Sequence, residues 1–373
     1  MERRTKKPRV LLIGPTPPPY HGVSVMTSNI LDSSLRDNFE LLYLNTSDNR
    51  DSSSVGKIDF LEGFLFLKHF LTYCCFLMRS VEIVHIPISQ TRIGFLRDLA
   101  FILFAMLPKR TKVVLHLHGS SFRNMLEICP SWYRLLISYA LSGVSGAIVL
   151  GEKLRYLFHG LVPNEKVFVV PNGIPDPGLS KILRSDPGKF IVTYLGNLVR
   201  GKGFFNLLEA IPLVVHSNPN IHFNFIGRWR AETDRREALE YVSRMGINNH
   251  VLFKGEITGV EKLKELASCA VFVFPPYQAE GQPLVILEAM GCGLPIVATS
   301  KGAIDEMVVN NDNGFIVPEK SAESIANRII QLASDHNLCQ GMGYRSRELF
   351  MSLYTVECFA HRLRSVWNAV LCY

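Results

Sequence analysis

Short apolar runs alternate with helix-length segments along the whole chain. In the first half the runs lie at Val10–Ile13, Leu41–Leu44, Ile83–Ile86, Val113–His118, Ala147–Leu150 and Val167–Val170. In the second half they lie at Phe190–Leu195, His222–Ile226, Val251–Phe253, Val271–Phe274, Ile296–Ala298 and Phe315–Val317. The runs are rich in Val, Ile and Phe and lack strict polar alternation, which is typical of strands buried on both faces of a parallel sheet.

This alternation predicts an α/β fold built from βαβ units, with two Rossmann-like, doubly wound parallel sheets. Prolines and glycines crowd residues 176–188 without any periodic apolar signal, so we predict an interdomain linker there. The predicted domains are residues 1–175 and 176–350, and Tyr354–Leu371 has the pattern of a further helix. In such folds, ligands bind beyond the carboxyl ends of the strands, here in a cleft that both domains line.

Charge is unevenly distributed over the 373 residues, whose net charge is +7. Residues 1–175 carry 20 Lys and Arg against 13 Asp and Glu, and the remaining residues carry 20 of each. A basic half is compatible with nucleic acid, with an anionic membrane surface, or simply with a solvated basic face. Since no nucleic-acid motif is present, we expect no nucleic-acid partner, and contact with an anionic membrane is the leading functional alternative.

Two apolar stretches of the first half, Phe64–Arg79 and Ile93–Pro108, are interrupted by charged residues and too short to span a bilayer. They are typical of helices packed on a sheet, and a partial contact with a bilayer stays open. The N-terminus lacks the apolar segment of a secretory signal. Cys74 and Cys75 lie in an apolar helical run, which predicts reduced core cysteines and a cytoplasmic protein.

The segment from Val271 to Ala298 carries the most informative chemistry. A buried strand is followed by a loop, and Pro283 then opens a helix at a position where its missing N–H is tolerated. The backbone amides of Gly281, Gln282 and Leu284 would form an anion site at the helix start. Glu280 can accept hydrogen bonds from sugar hydroxyls, and Glu288 can reach a ribose diol.

The segment EGQPLVILEAMGCGLPIVAT resembles the signature of the retaining glycosyltransferase family 4, which has the GT-B fold. The resemblance implies that Glu280 contacts the donor sugar and Glu288 the nucleotide ribose. It also implies donor binding by residues 281–284, that is Gly281, Gln282, Pro283 and Leu284. In this fold the last helix, here within residues 351–373, packs back on the first domain.

Two glycine-bearing loops extend the resemblance. The segment Tyr194–Phe204 is similar to the family's Gly-Arg-x4-Lys-Gly diphosphate motif, with Lys202 at the lysine and Asn197 where the family has arginine. Arg200 is a neighbouring cation that could compensate. Gly22 opens a helix after the first proline-rich loop and corresponds to the family's N-terminal glycine loop, which faces the diphosphate.

The strand at Val113–His118 ends in a His-Gly pair similar to the family's His-Gly loop, whose histidine lies near the donor sugar and acceptor. The strand period places His116 and His118 on one face, and His118 is nearer the carboxyl end. We therefore predict a catalytic set of Glu280, His118 and Lys202. Pro171-Asn172-Gly173 resembles a family segment too, and we interpret it as a structural turn.

No Asp-x-Asp and no metal-ligand spacing occurs, so we expect neither a metal nor another cofactor besides the nucleotide-diphosphate sugar. The resemblance implies front-face transfer that retains the configuration of the sugar. We expect a glycan or polyprenyl-diphosphate-linked acceptor, and a location at the inner face of the cytoplasmic membrane in surface polysaccharide or lipopolysaccharide assembly.

Two alternatives stay open at this point. A sugar-nucleotide epimerase shares the twin-Rossmann architecture and would need acid and base carboxylates, for which Asp98 and Glu127 are the nearest candidates. A catalytically inactive nucleotide-sugar binder would tolerate the replacement of the usual arginine by Asn197.

Overall fold

The chain is folded into two compact units in the computed structural model. The structure describes residues 7–18, 20–47, 60–107, 110–178 and 190–372, with side chains described from residue 63 in the third range. One unit consists of Met1–Gly173 together with Val356–Tyr373, and the other of Ile174–Thr355. The predicted linker at 176–188 lies largely outside the described residues, which include only 176–178 of it.

The first unit contains a parallel sheet of six strands in the order β2-β1-β3-β4-β5-β6. Its strands are β1 (Arg9–Gly14), β2 (Glu40–Asn45), β3 (Ile83–Pro87), β4 (Lys112–His116), β5 (Gly146–Val149) and β6 (Val167–Val169). Its helices are α1 (Gly22–Asp32), α2 (Phe60–Leu77), α3 (Arg92–Ala105), α4 (Phe122–Glu127), α5 (Ser131–Ser142) and α13 (Val356–Cys372).

The second unit contains another six-stranded parallel sheet, in the order β12-β11-β10-β7-β8-β9. Its strands are β7 (Phe190–Leu195), β8 (Ile221–Ile226), β9 (Val251–Gly255), β10 (Val271–Phe274), β11 (Ile296–Thr299) and β12 (Gly314–Val317). Its helices are α6 (Phe204–Ser217), α7 (Glu232–Arg244), α8 (Gly259–Ala267), α9 (Leu284–Gly291), α10 (Ile304–Met307), α11 (Ala322–Ser334) and α12 (His336–Leu353).

The strand order of the second unit determines where its loops meet. The chain runs outward from β7 to β8 and β9, and then returns to pair β10 with the other edge of β7. A doubly wound sheet has its crevice where the order reverses in this way, at the carboxyl ends of the two central strands. The loops that follow β7 and β10 therefore lie side by side.

The predicted strands are all confirmed, because each apolar run lies on a parallel strand of one of the two sheets. The side chains of the central strands are buried among helices on both faces, which explains why these runs lack alternation, whereas the edge strands β2 and β9 are only partly buried. The helix predicted over Tyr354–Leu371 is confirmed as α13. Its indole at Trp367 is fully buried, with an edge contact to Phe39 at 5.1 Å between ring centroids, so α13 completes the first unit.

The apolar helices bear on two expectations, the core position of the cysteines and the absence of a membrane span. The prediction of a core position is wrong for Cys75, which is exposed on α2, whereas Cys74 is partly buried. Within the described ranges, no helix has the length and apolar character needed to cross a membrane.

Candidate active site

The loop between β7 and α6 folds against the loop after β10. The amides of Tyr277 and Gln278 both donate hydrogen bonds to the carbonyl oxygen of Gly201, at 2.9 Å each. Gly203 has φ +81°, and a Cβ at this position would lie 1.9 Å from the carbonyl oxygen of Pro275. A side chain is therefore excluded, and the absence of one lets the two loops touch.

This contact brings together Lys202 and Glu280, two of the three residues predicted to be catalytic. The Nζ of Lys202 lies 3.2 Å from Oε1 of Glu280, and the two side chains are 27% and 12% exposed. Nε2 of Gln278 donates a 3.0 Å hydrogen bond to the same oxygen. The Glu280 carboxylate is therefore held in one orientation, beside a cation suited to phosphate oxygens.

A further loop supports the backbone at Glu280. The amide of Ala303 donates a 2.8 Å hydrogen bond to the carbonyl oxygen of Gly281. Gly302 has φ +57°, and a Cβ there would lie 2.0 Å from the carbonyl oxygen of Glu280. The position of Glu280 thus depends on a glycine distant in sequence.

Helix α9 begins immediately after this loop. Pro283 is its N-cap residue, one position before the helical residue Leu284, and Gly281, Gln282 and Pro283 are buried. The first amides of any helix have no acceptor within the helix, and they carry the positive end of its dipole. The predicted anion site therefore lies on the same loop as Glu280.

Glu288 lies on α9 and binds Lys262 of α8. Its Oε1 accepts a 2.6 Å hydrogen bond from Nζ of Lys262. Its Oε2 is buried and has no hydrogen-bond partner among the described residues. Burial raises the pKa of Glu288, and the neighbouring ammonium opposes that rise. An acceptor oxygen buried in this way is suited to a ligand hydroxyl, because without one its desolvation is uncompensated.

Asn197 and Arg200 lie on the β7–α6 loop with Lys202. Asn197 is half-buried, and its carbonyl oxygen accepts a hydrogen bond from the Tyr194 hydroxyl at 3.1 Å. The guanidinium of Arg200 forms ion pairs with Asp234, at 2.9 Å, and with Glu237. Its charge is balanced by α7, whereas Lys202 pairs with Glu280 of the neighbouring loop.

Gly22 and His118 belong to the first unit. Gly22 begins α1 as predicted, and the preceding His21 accepts a 3.2 Å hydrogen bond from the amide of Ser24 through its Nδ1. His118 follows β4, and burial lowers its pKa to about 4. It shares a side-chain hydrogen bond with Asn172, for which the sequence alone indicates only a turn.

His118 is connected to a series of buried ring side chains, namely His116, His85 and Trp367. The rings of His116 and His118 stack at 3.9 Å between centroids. The indole Nε1 of Trp367 donates to Nδ1 of His85 at 3.3 Å, which places the proton of neutral His85 on Nε2. That nitrogen lies 3.3 Å from Nδ1 of His116. Burial lowers the pKa of His85 to about 3 and that of His116 well below its ordinary value, so these imidazoles are neutral.

Sequence reasoning missed four of these residues, namely Lys262, Asn172, His85 and Trp367. A lysine on an amphipathic helix and a Pro-Asn-Gly turn carry no signal that distinguishes them from surface features. Their roles depend on partners 26 to 282 residues away in the chain.

The epimerase alternative receives little support from its two candidate carboxylates. Asp98 is fully buried, accepts a 2.6 Å hydrogen bond from the amide of Ser89 and pairs with Arg97. Glu127 lines a cavity of about 220 Å³ beside Arg123 and Arg134. In the part of the chain that the structure describes, no group of three or more His, Cys, Asp or Glu side chains could hold a metal ion.

Comparison with known proteins shows sequence similarity to glycosyltransferases. Residues 177–349 match the family model described as glycosyl transferases group 1. The chain is similar to the capsular polysaccharide biosynthesis glycosyltransferase CapM of Staphylococcus aureus, with 29% identity over 49% of this chain and 47% of CapM. It is also similar to the N-acetyl-alpha-D-glucosaminyl L-malate synthase of Bacillus anthracis, with 25% identity over 73% of this chain and 71% of that enzyme. The chain thus spans about half the length of CapM.

Solved structures show the same fold. The HepE protein of Anabaena, in complex with UDP and glucose, has a TM-score of 0.75 and 19% identity over 97% of this chain and 99% of that one. The sucrose-phosphate synthase of Thermosynechococcus elongatus has a TM-score of 0.75 and 17% identity over 98% of this chain and 100% of that one. Residues 177–349 therefore match the glycosyl transferases of group 1, and the two parallel six-stranded sheets have the GT-B fold of the matched structures.

Proposed function

We propose that this protein is a retaining, metal-independent glycosyltransferase that uses a nucleoside-diphosphate sugar as donor. The observation that carries the proposal is the pair of glutamates on either side of the α9 start. Glu280 is held by Lys202 and Gln278, and one buried oxygen of Glu288 has no partner among the described residues.

The two carboxylates take different parts of the donor. Glu280 lies beside a lysine, so a sugar hydroxyl and the adjoining phosphate can be bound together there. Glu288 lies eight residues further along, with one oxygen held by Lys262 and the other available for a ribose hydroxyl. The first amides of α9, between the two, would bind the diphosphate.

Relatives support the donor class. The matched HepE structure contains UDP and glucose, and other matched structures contain UDP with N-acetylglucosamine or its glycoside. A uridine nucleotide is therefore the first donor to test.

The reaction itself follows front-face transfer. The bond between the anomeric carbon and the phosphate oxygen breaks while a bond forms from the acceptor oxygen to the same face of that carbon. The proton of the acceptor hydroxyl passes to the departing phosphate oxygen, so the reaction needs no protein nucleophile. Lys202 and the first amides of α9 would stabilise the charge that develops on the leaving diphosphate.

His118 is proposed to position the sugar and the acceptor hydroxyl through hydrogen bonds. Its lowered pKa keeps it neutral near pH 7, so it can act as hydrogen-bond donor or acceptor. Asn172 and the stacked His116 hold the ring in place. Orientation of this kind can contribute much of the rate enhancement in a transfer reaction.

The acceptor is proposed to be a glycan or a polyprenyl-diphosphate-linked glycan at the inner face of the cytoplasmic membrane. The similarity to a capsular polysaccharide glycosyltransferase supports a role in surface polysaccharide assembly. The net positive charge of the first half of the sequence is compatible with an anionic lipid acceptor.

A donor screen tests the proposal. Purified protein is incubated with UDP-, GDP- and dTDP-sugars, with and without EDTA, and release of the nucleoside diphosphate is measured. We expect turnover of one donor, no effect of EDTA, and a product whose anomeric configuration by NMR equals that of the donor. An inverted product would contradict retention, and donor binding without turnover under any acceptor would favour the inactive binder.

A further inference from the structure

Three helices of the first unit form one layer on the same side of the sheet. The strand order shows that the chain moves in one direction from β2 through β3 and β4 to β5. Because such crossovers are right-handed, α2, α3 and α5 must lie on one face, opposite to α1. Contacts join the neighbours: the rings of Phe70 and Phe104 lie 4.8 Å apart between centroids, and the Tyr133 hydroxyl donates a 2.7 Å hydrogen bond to the carbonyl oxygen of Arg92.

The outer side of α2 is apolar. Phe64, Leu67 and Leu71 follow the spacing of one helical stripe and are 65%, 53% and 58% exposed. The opposite side of the helix packs inward through Tyr73, whose hydroxyl donates to the Phe101 carbonyl at 2.8 Å. A helix that is apolar on both sides is expected when both sides have an apolar partner.

The same feature recurs on α5 and α3. Trp132, Leu135 and Tyr139 of α5 have the same spacing as the stripe on α2 and are exposed, and Leu96 is exposed on α3. By contrast, the outer side of α7 in the second unit carries glutamates and arginines. We call the outer side of α2, α3 and α5 the three-helix face.

The charges on the three-helix face have one sign. Lys68, Arg92 and Arg134 are exposed among the apolar side chains. Within the described side chains of these three helices, Asp98 is the only carboxylate, and it is buried in its pair with Arg97. The face therefore combines apolar groups, an indole and a phenol with cations, and none of its described side chains is an exposed acid.

We propose that the three-helix face docks on the surface of an anionic lipid bilayer. The apolar side chains would enter the boundary between headgroups and acyl chains, and the cations would bind lipid phosphates. Trp132 and Tyr139 suit that boundary, because each has an apolar ring and a polar atom. This inference rests on the proposed function in one respect, since a lipid-linked acceptor would be reached there.

A second copy of the chain fits the face less well. A symmetric dimer through this face would bring equivalent patches together and so place its cations opposite one another. No exposed carboxylate among the described residues of the face could pair with them. An anionic bilayer supplies the complementary charge.

Vesicle sedimentation tests the proposal. Binding is compared for vesicles of phosphatidylcholine alone and for equal parts of phosphatidylcholine and phosphatidylglycerol, at about 0.05 M and about 0.5 M NaCl. The test variants are Leu71→Gln with Leu135→Gln, and Lys68→Gln with Arg134→Gln. The matched control is Leu213→Gln with Leu252→Gln, two leucines of the second unit that are 49% and 53% exposed.

We expect binding to the anionic vesicles that weakens at high salt. The apolar pair of substitutions should reduce it at least tenfold, and each lost cation about fivefold. The control should bind like the unaltered protein. Donor hydrolysis in the absence of vesicles should be unchanged in every variant, which separates this inference from the proposed function.

Other outcomes would overturn the proposal. Absence of binding to anionic vesicles would contradict it directly, and equal binding by all variants would show that another surface docks. A dimer in sedimentation velocity that dissociates in the Leu71→Gln, Leu135→Gln variant would identify a second copy as the occupant.

Discussion

Replacing Glu288 by glutamine separates a donor-binding role from a structural one. The substitution keeps the shape of the side chain and removes its charge. Glu288 forms a 2.6 Å hydrogen bond with Lys262 through one oxygen, while the other is buried without a partner among the described residues. The side chain of Lys262 is 24% exposed, so its ammonium can reach water when the carboxylate is lost.

The magnitude follows from the loss of an ionised acceptor. A hydrogen bond to a charged group contributes about 1.5–3 kcal/mol, and a glutamine carbonyl recovers part of it. We therefore expect donor affinity to fall about 5- to 150-fold, which corresponds to about 1–3 kcal/mol.

Stability should respond in the other direction. The pKa of Glu288 is raised in the folded state above its ordinary value of 4.5, chiefly by burial. A carboxyl whose pKa is raised in the folded state loses its proton at a higher pH there than in the unfolded state. The free energy of unfolding therefore falls as pH rises from the unfolded-state pKa to the folded-state pKa, and the ionised group destabilises the fold at neutral pH. Glu288→Gln should therefore leave Tm unchanged or raise it.

Calorimetry with the nucleotide that the unaltered protein binds gives Kd, and thermal denaturation gives Tm. Glu265→Gln is the matched control, because Glu265 forms a 2.6 Å pair with Lys254 and stands on the same helix as Lys262. It should leave Kd unchanged. An unchanged Kd for Glu288→Gln, together with a lower Tm, would refute the assignment and show that the Glu288–Lys262 pair is structural.

Three further predictions concern the loops and the imidazoles. Lys202→Ala should weaken donor binding at least tenfold and slow turnover, whereas Lys202→Arg should retain part of both, as measured by calorimetry and nucleotide release. Gly302→Ala should lower the free energy of unfolding by at least about 2 kcal/mol and impair turnover, because its Cβ would clash with the carbonyl oxygen of Glu280. The control Gly259→Ala has φ +62° but open space around it, so it should lower the free energy of unfolding by about 1–2 kcal/mol and leave turnover unchanged. Equal effects of the two substitutions in urea denaturation would contradict a clash at Gly302. The pKa values of His85 and His118 are lowered to about 3 and about 4, so the unfolded state takes up protons first as pH falls below 6.5. The free energy of unfolding should therefore drop by at most about 1.4 kcal/mol per pH unit for each imidazole between pH 6.5 and 4. A free energy of unfolding that does not change over this pH range would contradict the burial of the two imidazoles.

The sequence predicted the sheets because burial on both faces leaves a direct trace. A strand enclosed by helices is apolar at most positions, so runs such as Val271–Phe274 can be recognised without any knowledge of their partners. The start of α9 can be recognised in the same way, because Pro283 follows a loop that contains Gly281 and directly precedes an apolar helical segment. Local chemistry was sufficient to locate both.

The side-chain contacts of the predicted site residues could not be predicted from the sequence. Lys202 and Glu280 are 78 residues apart in the numbering, and their 3.2 Å contact exists because β7 and β10 are neighbours in the sheet. The contact also depends on Gly203, which lets one loop lie against the other. Arg200 shows the converse, since its proximity in sequence suggested a phosphate contact while α7 balances its charge.

By itself, the sequence determined the fold class, the places of the strands and the glutamate motif, because these depend on local periodicity and on residue types at fixed spacing. Only the tertiary structure decided that Lys262 holds Glu288, that Trp367 and His85 stand behind His118, and that the apolar stripe of α2 faces outward. The physical reason is the same in each case. An apolar side chain favours burial and a charged one favours a partner of opposite charge. Whether another helix, a ligand or solvent contacts that side chain is determined by elements far away in the chain.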